Sequence, residues 1–267
     1  MNKFMSIGLA AVFAAGFVSA ENGVVMVDQS SFGSEVEATA EIALVSAQVW
    51  RGQVQNEDFV IQPQFTISSK GVSFNVWGNY NFSQNYAGVD NAMNEFDFSL
   101  AYTLPLDLND ISFDLGVINY QFPANGDEQG KATTELFVAA HILTFRDYVI
   151  PSVTFYGDIK EVDGTYIQFD VVAPYRVSEY LYLEAGISTG WGSGSYNKAY
   201  WGIDGGHKGF NDYNFFGTAS YEVSDQFSVS VNMTYTGVYG GVIKDGAKAT
   251  YDAGEKMWGG VNFAYDF

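Results

Sequence analysis

Apolar and polar residues alternate with a period of two in about twelve segments of this chain. That period puts successive side chains on opposite faces of a β-strand, so each segment has one apolar and one polar face. In 72–82, Val72, Phe74, Val76, Gly78, Tyr80 and Phe82 face one way, and Ser73, Asn75, Trp77, Asn79 and Asn81 the other. Phe96, Phe98, Leu100, Tyr102 and Leu104 oppose Glu95, Asp97, Ser99, Ala101 and Thr103. Phe227, Val229, Val231, Met233 and Tyr235 oppose Ser228, Ser230, Asn232, Thr234 and Thr236. The spacing predicts further strands near 37–51, 59–69, 111–122, 133–143, 149–160, 165–177, 180–190, 212–223 and 257–267. A tilted strand needs about 9–11 residues to cross a bilayer, and each segment reaches that length.

The connections alternate too. Tight turns at 69–71, 178–179 and 224–225, and short ones at 105–110 and 144–148, are interleaved with longer polar segments. Those longer segments are 52–58, 83–93, 123–131, 161–164, 191–211 and 241–256. Short turns at one end and long loops at the other are the pattern of an outer-membrane barrel, with turns in the periplasm and loops outside. The predicted fold is therefore all-β: a closed, antiparallel, up-and-down transmembrane barrel of about 12 strands. An even strand count puts both termini on the periplasmic side.

Both ends of the chain fit that compartment. Residues 1–3 carry a positive charge, 7–18 are apolar, and Val18-Ser19-Ala20 is a small-residue cleavage site before Glu21. This predicts a signal peptide over 1–20, a periplasmic segment over 21–35 and the barrel over 36–267. There is no Cys, hence no lipid-attachment site and no disulfide. The last segment ends on Phe267, with Val261, Phe263 and Tyr265 in phase with it and Asn262, Ala264 and Asp266 opposite. Such an ending resembles bacterial outer-membrane barrels, where the final strand closes the barrel and is read by the assembly machinery. Phe263, Tyr265 and Phe267 are the expected closure residues.

Composition narrows the partners. The formal charge is −19, which argues against nucleic acid, whose partners need basic surface. After the signal peptide no run of about 18 apolar residues provides a transmembrane helix. Outer-membrane lipid and lipopolysaccharide, the assembly machinery, and small solutes or ions are the partners expected, with no cofactor.

Charge also decides which face points where. A charged side chain facing lipid at mid-depth costs about 2–4 kcal/mol for Arg or Lys, so the charged phase of each strand belongs to the lumen. That phase carries Glu37, Glu41, Glu95, Asp97, Asp114, Glu135, Asp158, Asp170, Glu184, Glu222 and Asp266, against Arg51 and Lys160. These are the lumen-lining selectivity candidates. Trp50, Tyr102, Tyr120, Tyr148, Tyr180, Tyr221 and Tyr265, near strand ends, suit interfacial girdles. Barrels of about eight strands are filled by side chains, and those of about 16–18 hold a channel. Twelve strands imply a narrow polar channel whose acidic walls favour cations. The alternative is that the acids pair with the few bases, or bind divalent ions, and fill the interior.

Other constellations are weaker. His141 falls in a lumen phase and His207 in the longest loop, and two isolated histidines read as structural or solvated rather than metal ligands. A hydrolase would need a nucleophile, a base and an orienting group within reach. His141 with Thr144 supplies no orienting group, so the chain is not expected to be an enzyme. The Gly-rich stretch 191–195 follows a strand and is expected to precede no helix, which makes it a flexible surface loop rather than a phosphate cradle. Alternatively that loop, with Tyr196, Tyr200, Trp201 and Phe210, folds inward as a constriction.

One stretch carries a family resemblance. Ala43-Leu44-Val45-Ser46, Val49-Trp50-Arg51-Gly52-Gln53, Ile61-Gln62-Pro63, Lys70-Gly71 and Val76-Trp77-Gly78-Asn79 resemble the opening three strands of the TorF family of porins. In that family an aromatic-Arg-Gly step ends the first strand and a Trp-Gly-Asn/Ser step sits in the third. The resemblance implies an outer-membrane location and a pore, and it names no substrate. Two functions follow from all of this. The first is a porin-like channel for passive diffusion of small solutes, cation-preferring through its acidic lumen. The alternative is a non-conducting barrel with a structural, adhesive or lipid-modifying role.

Overall fold

The computed structural model describes residues 36–83, 91–106, 108, 110–123, 131–203, 205–251 and 253–267. The predicted signal peptide and the 21–35 segment lie outside the described residues. In chain order the strands are β1 (Glu37–Val45), β2 (Gln48–Trp50), β3 (Gln53–Asn56), β4 (Val60–Ser69), β5 (Val72–Asn81), β6 (Ala92–Thr103), β7 (Ile111–Gln121) and β8 (Thr133–Ile142). They continue as β9 (Ile150–Asp158), β10 (Thr165–Arg176), β11 (Leu181–Gly192), β12 (Gly209–Ser224), β13 (Phe227–Val238) and β14 (Glu255–Asp266). Helix α1 (Gly194–Trp201) precedes β12, and α2 (Val242–Tyr251) precedes β14.

Twelve of the strands form one closed antiparallel barrel, in the order β1, then β4 through β14, with β14 returning to β1. The predicted alternation is what closes it. Val138, Phe155, Val231 and Met233 stand 53%, 47%, 54% and 63% exposed on the outside, while their neighbours Ala139, Thr154, Ser230 and Asn232 are buried in the lumen. Such an apolar exterior around a polar interior is a transmembrane barrel turned toward lipid. Short turns lie at one end, among them Lys70-Gly71, whose φ values of 52° and 78° make the two-residue turn that matches strand twist. The longer connections, both helices included, gather at the other end.

The last strand is the seam. Ala40, Ile42 and Leu44 pair with Tyr265, Phe263 and Val261, and Phe267 N–H donates to the Ala38 carbonyl at 3.0 Å. The closure expected of this final strand is therefore present, with β1 as its partner. Strand β14 lies so close to both neighbours that a Cβ on Gly259 would strike the Asn232 carbonyl, and one on Gly260 the Leu44 carbonyl.

The first predicted strand is corrected. It does not run to residue 51: β1 stops at Val45 and the chain turns inward, forming the separate β2–β3 hairpin. Gln48, Val49, Trp50, Arg51, Gln53, Val54 and Asn56 are all buried. The sequence carries a trace of the break: the apolar phase switches from even positions (Ala38, Ala40, Ile42, Leu44) to odd ones (Val45, Ala47, Val49) where β1 ends. Trp50 and Tyr120 are consequently core residues rather than girdle aromatics, at 5% and 4% exposed. Tyr148, Tyr180, Tyr221 and Tyr265 do stand on the outer surface.

Two further expectations are overturned. The Gly-rich stretch 191–195 does precede a helix: Ser193 caps α1, its hydroxyl accepting from Tyr196 N–H at 3.3 Å, and Gly202 ends it at φ 63°. Nor is it a flexible surface loop, since Tyr196, Asn197 and Trp201 are buried. Phe210, grouped with them in the inward-folding alternative, stands 49% exposed.

Candidate functional site

The β2–β3 hairpin crosses the lumen. It hangs between β1 and β4, and counting round the barrel places β9 and β10 diametrically opposite. Its two-residue turn consists of Arg51 (φ 45°) and Gly52 (φ 79°). Positive φ is natural for glycine and uncommon for arginine, so contacts elsewhere must hold Arg51 there. Glycine is also required at 52 for space, since a Cβ would collide with Asp212 of β12.

Those contacts surround the guanidinium. Its two terminal nitrogens donate to Glu135 of β8 at 2.9 and 2.8 Å. Its carbon lies 4.5, 4.3 and 4.4 Å from the ring centres of Trp50, Tyr156 and Tyr166, and 5.9 Å from Tyr196. Each such cation–π contact contributes about 0.5–2 kcal/mol, more as water is excluded. The Tyr120 hydroxyl donates to Glu135 at 2.9 Å and fixes the carboxylate. Tyr166 donates to Asp212 at 2.9 Å, its ring lying across Gly190, where any side chain would overlap it.

The root of the hairpin is tied to the near wall. Gln48 donates to Glu95 at 2.6 Å and accepts from Asn79 at 2.9 Å, and Asn79 in turn accepts from Gln62 at 3.0 Å. Over the top, α1 and α2 pack Trp201, Ile203, Ile243, Ala247 and Tyr251 against Val238. The Tyr251 hydroxyl bonds Gln53 and the Tyr200 carbonyl, and Trp50 and Tyr200 meet edge to face at 5.0 Å. Burial pushes the Tyr196 and Tyr200 hydroxyls well above the usual tyrosine range, so both stay neutral beside the cation. The loop end of the lumen is thus filled by a hairpin, a pair of helices and a buried ion pair.

The lumen candidates separate into two levels. Glu95, Asp97 and Glu135 are buried at the loop end around the hairpin. Asp158 is also there, but it organises a loop: one oxygen accepts the backbone N–H groups of Lys160, Glu161 and Val162 at 2.9, 3.0 and 2.9 Å. Lys160 itself is exposed beyond β9 rather than inside the strand. Toward the turn end, Glu41 accepts from Asn262 at 2.7 Å and Gln64 at 3.2 Å, and Asp170 accepts from Gln168 at 2.9 Å. Glu184 and Glu222 are half-buried on the same inner face, and Glu37 and Asp266 are exposed at the rim. Asp114 and His141 form a buried pair at 2.9 Å, which ties the imidazole down as part of the wall. His207 is exposed.

Sequence reasoning missed Arg176. It shares the inner face of β10 with Asp170 and stacks on Tyr182 at 5.1 Å, at the turn-end rim. Its even spacing from Asp170 was the available signal. It also left the buried partners Tyr156, Tyr166 and Asp212 unremarked, because they acquire a role only when the hairpin reaches them.

Comparisons with known proteins agree with this architecture. The NanC porin superposes with a TM-score of 0.53 at 11% identity, covering 86% of this chain and 99% of that one. The KdgM porin in complex with disordered oligogalacturonate gives 0.52 at 8% identity, over 86% and 99%. The COG4313 outer membrane channel from Pseudomonas putida F1 gives 0.52 at 10% identity, over 91% and 100%. At these identities the likeness establishes the barrel fold. No curated protein matches the chain. The barrel implied by the TorF resemblance is what these neighbours share, although the matching family model carries another name. That model, described as "Bacterial protein of unknown function (Gcw_chp)", matches residues 29–259, and the chain belongs to this family.

Proposed function

We propose that this chain is an outer-membrane channel, its termini in the periplasm, whose outer mouth is held shut by the Arg51 hairpin. Three features support the reading: the lipid-facing exterior, the loops gathered at one end, and neighbours named as porins and channels. The TorF-like opening strands point the same way. Assembly machinery reading the final strand, and lipid and lipopolysaccharide around the apolar belt, are the partners this location implies.

The observation that carries the choice of solute is the lumen beneath the hairpin. Glu41, Asp170, Glu184 and Glu222 line its inner face, with Arg176 at the rim. Carboxylates along a low-dielectric wall attract cations and repel anions. Small cationic and neutral solutes are therefore the proposed cargo, in contrast to the oligogalacturonate of the KdgM complex. A second reading, a non-conducting barrel, is favoured by the filled loop end.

Planar-bilayer recording separates the two. The wild-type barrel is expected to conduct rarely and Arg51→Gly frequently, with a reversal potential under a KCl gradient showing cation preference. A silent Arg51→Gly barrel, folded by heat-modifiable migration, would favour the non-conducting reading. Anion preference would overturn the choice of cargo.

A further inference from the structure

The pocket that holds Arg51 is largely built by residues outside the hairpin. Glu135 comes from β8, Tyr156 from β9, Tyr166 from β10 and Tyr196 from α1. Only Trp50 arrives with the arginine. Together they present what a free guanidinium group needs. A carboxylate offers both oxygens to a planar fork, and aromatic faces lie 4.3 and 4.4 Å away on the far wall. Tyr120 holds the carboxylate in that orientation by donating to Oε2, the oxygen that also accepts from one guanidinium nitrogen.

Charge at the same level exceeds what Arg51 neutralises. Asp97 is 7% exposed, and its Oδ1 has no hydrogen-bond partner among the described residues. Asp97 pairs across the sheet with Tyr120, the residue that orients Glu135. Asp212 lies against Gly52, on the other side of the hairpin tip. With the hairpin withdrawn, the pocket would hold buried carboxylates and no arginine, a state costly to leave without a cation.

We infer that this pocket is a recognition site for planar organic cations of the guanidinium class, and that Arg51 is its built-in occupant. A solute bearing such a group enters only by displacing Arg51, and with it the tip of the hairpin. Binding and opening are then one event, because one site serves two mutually exclusive occupants. A tethered competitor acts at an effective concentration of roughly millimolar, so a free solute competes in that range. This rests on the reading of the hairpin as the closure of the channel, and it adds the class of solute that releases it.

The test uses the full-length Arg51→Gly barrel, folded in detergent and in planar bilayers, with methylguanidinium chloride as the probe. Glycine fits the turn, so the hairpin retains its shape while the pocket is emptied. Saturable change in Trp fluorescence and saturable reduction of the open current are expected as the probe is titrated. Equal KCl should produce neither. Adding Glu135→Gln should raise the half-saturation at least about tenfold, the loss expected for a charge-assisted pair. A response no different from KCl, or one unchanged by Glu135→Gln, would overturn the inference. If Arg51→Gly conducts no better than wild type, the closure reading fails, while the fluorescence titration still decides whether the pocket binds the cation. Arg51→Gln serves in the same scheme should the glycine variant not fold.

Discussion

Arg51 and Glu135 join through two hydrogen bonds of 2.9 and 2.8 Å, although one hangs from the wall at β1 and β4 and the other projects from nearly the opposite side. Both side chains are 2% exposed. In such a place the energetics are asymmetric: keeping the pair adds little, whereas losing one member strands a buried charge. Glu135→Ala should therefore destabilise the folded barrel by about 3–5 kcal/mol. The double replacement Arg51→Met with Glu135→Leu should cost far less. Urea titrations of the reconstituted protein measure both, and a double-variant loss equal to the sum of the separate Arg51→Met and Glu135→Leu losses would show that the two charges are not coupled.

Gly52 carries a prediction about space. A valine there must adopt φ 79° and push into Asp212, combining about 1–3 kcal/mol of backbone strain with an overpacking cost of similar size. The hairpin tip is then expected to leave its seat while the barrel wall remains. Protease should cut Gly52→Val near residues 46–59 and spare the wild type, with heat-modifiable migration preserved in both. Equal resistance would mean that the tip tolerates the side chain.

Selectivity is expected to reside below the hairpin. In the Arg51→Gly background, neutralising Glu41, Asp170 and Glu184 as Gln, Asn and Gln should move the reversal potential toward that of a non-selective pore. The same change at Asp158 should leave selectivity alone and loosen the loop whose backbone it holds. If the reversal potential does not respond to the triple variant, the lumen acids do not set cation preference.

At the seam, removing Phe267 deletes the N–H that donates to Ala38, together with an aromatic ring that meets Tyr265 edge to face at 5.1 Å. Folded protein in the outer membrane should fall, while barrels that do form should conduct as the full-length protein does. Unchanged surface levels would remove Phe267 from any role in assembly.

The sequence announced the wall of this barrel clearly, because each strand buries one face and shows lipid the other. Val229, Val231 and Met233 could hardly be read otherwise. It was far less informative about what fills the wall. Arg51 looked like a charge at the end of a long first strand, since it shares the odd phase of Glu37 and Glu41, and the one sign of the turn inward is the reversal of the apolar phase after Leu44. The helices were also hidden. Helix α1 is only eight residues long, begins in glycines and serines, and owes its place to Tyr196 and Trp201 finding partners on other elements. Local pattern reports the environment of a strand, whereas packing between distant loops depends on closure that no local window contains.

The hairpin also has a mechanical consequence. It is attached within two residues to β1, and Ser46 at its root exchanges hydrogen bonds of 2.9 and 3.1 Å with Gly259 of β14. Its tip is fastened to β8 and stacked on β9 and β10, across the full diameter. The seam at which the barrel closes is therefore cross-braced to the far wall, like a hoop with a spoke set at its weld. Parting β1 from β14 would pull on Glu135, so the closed seam and the seated arginine reinforce each other.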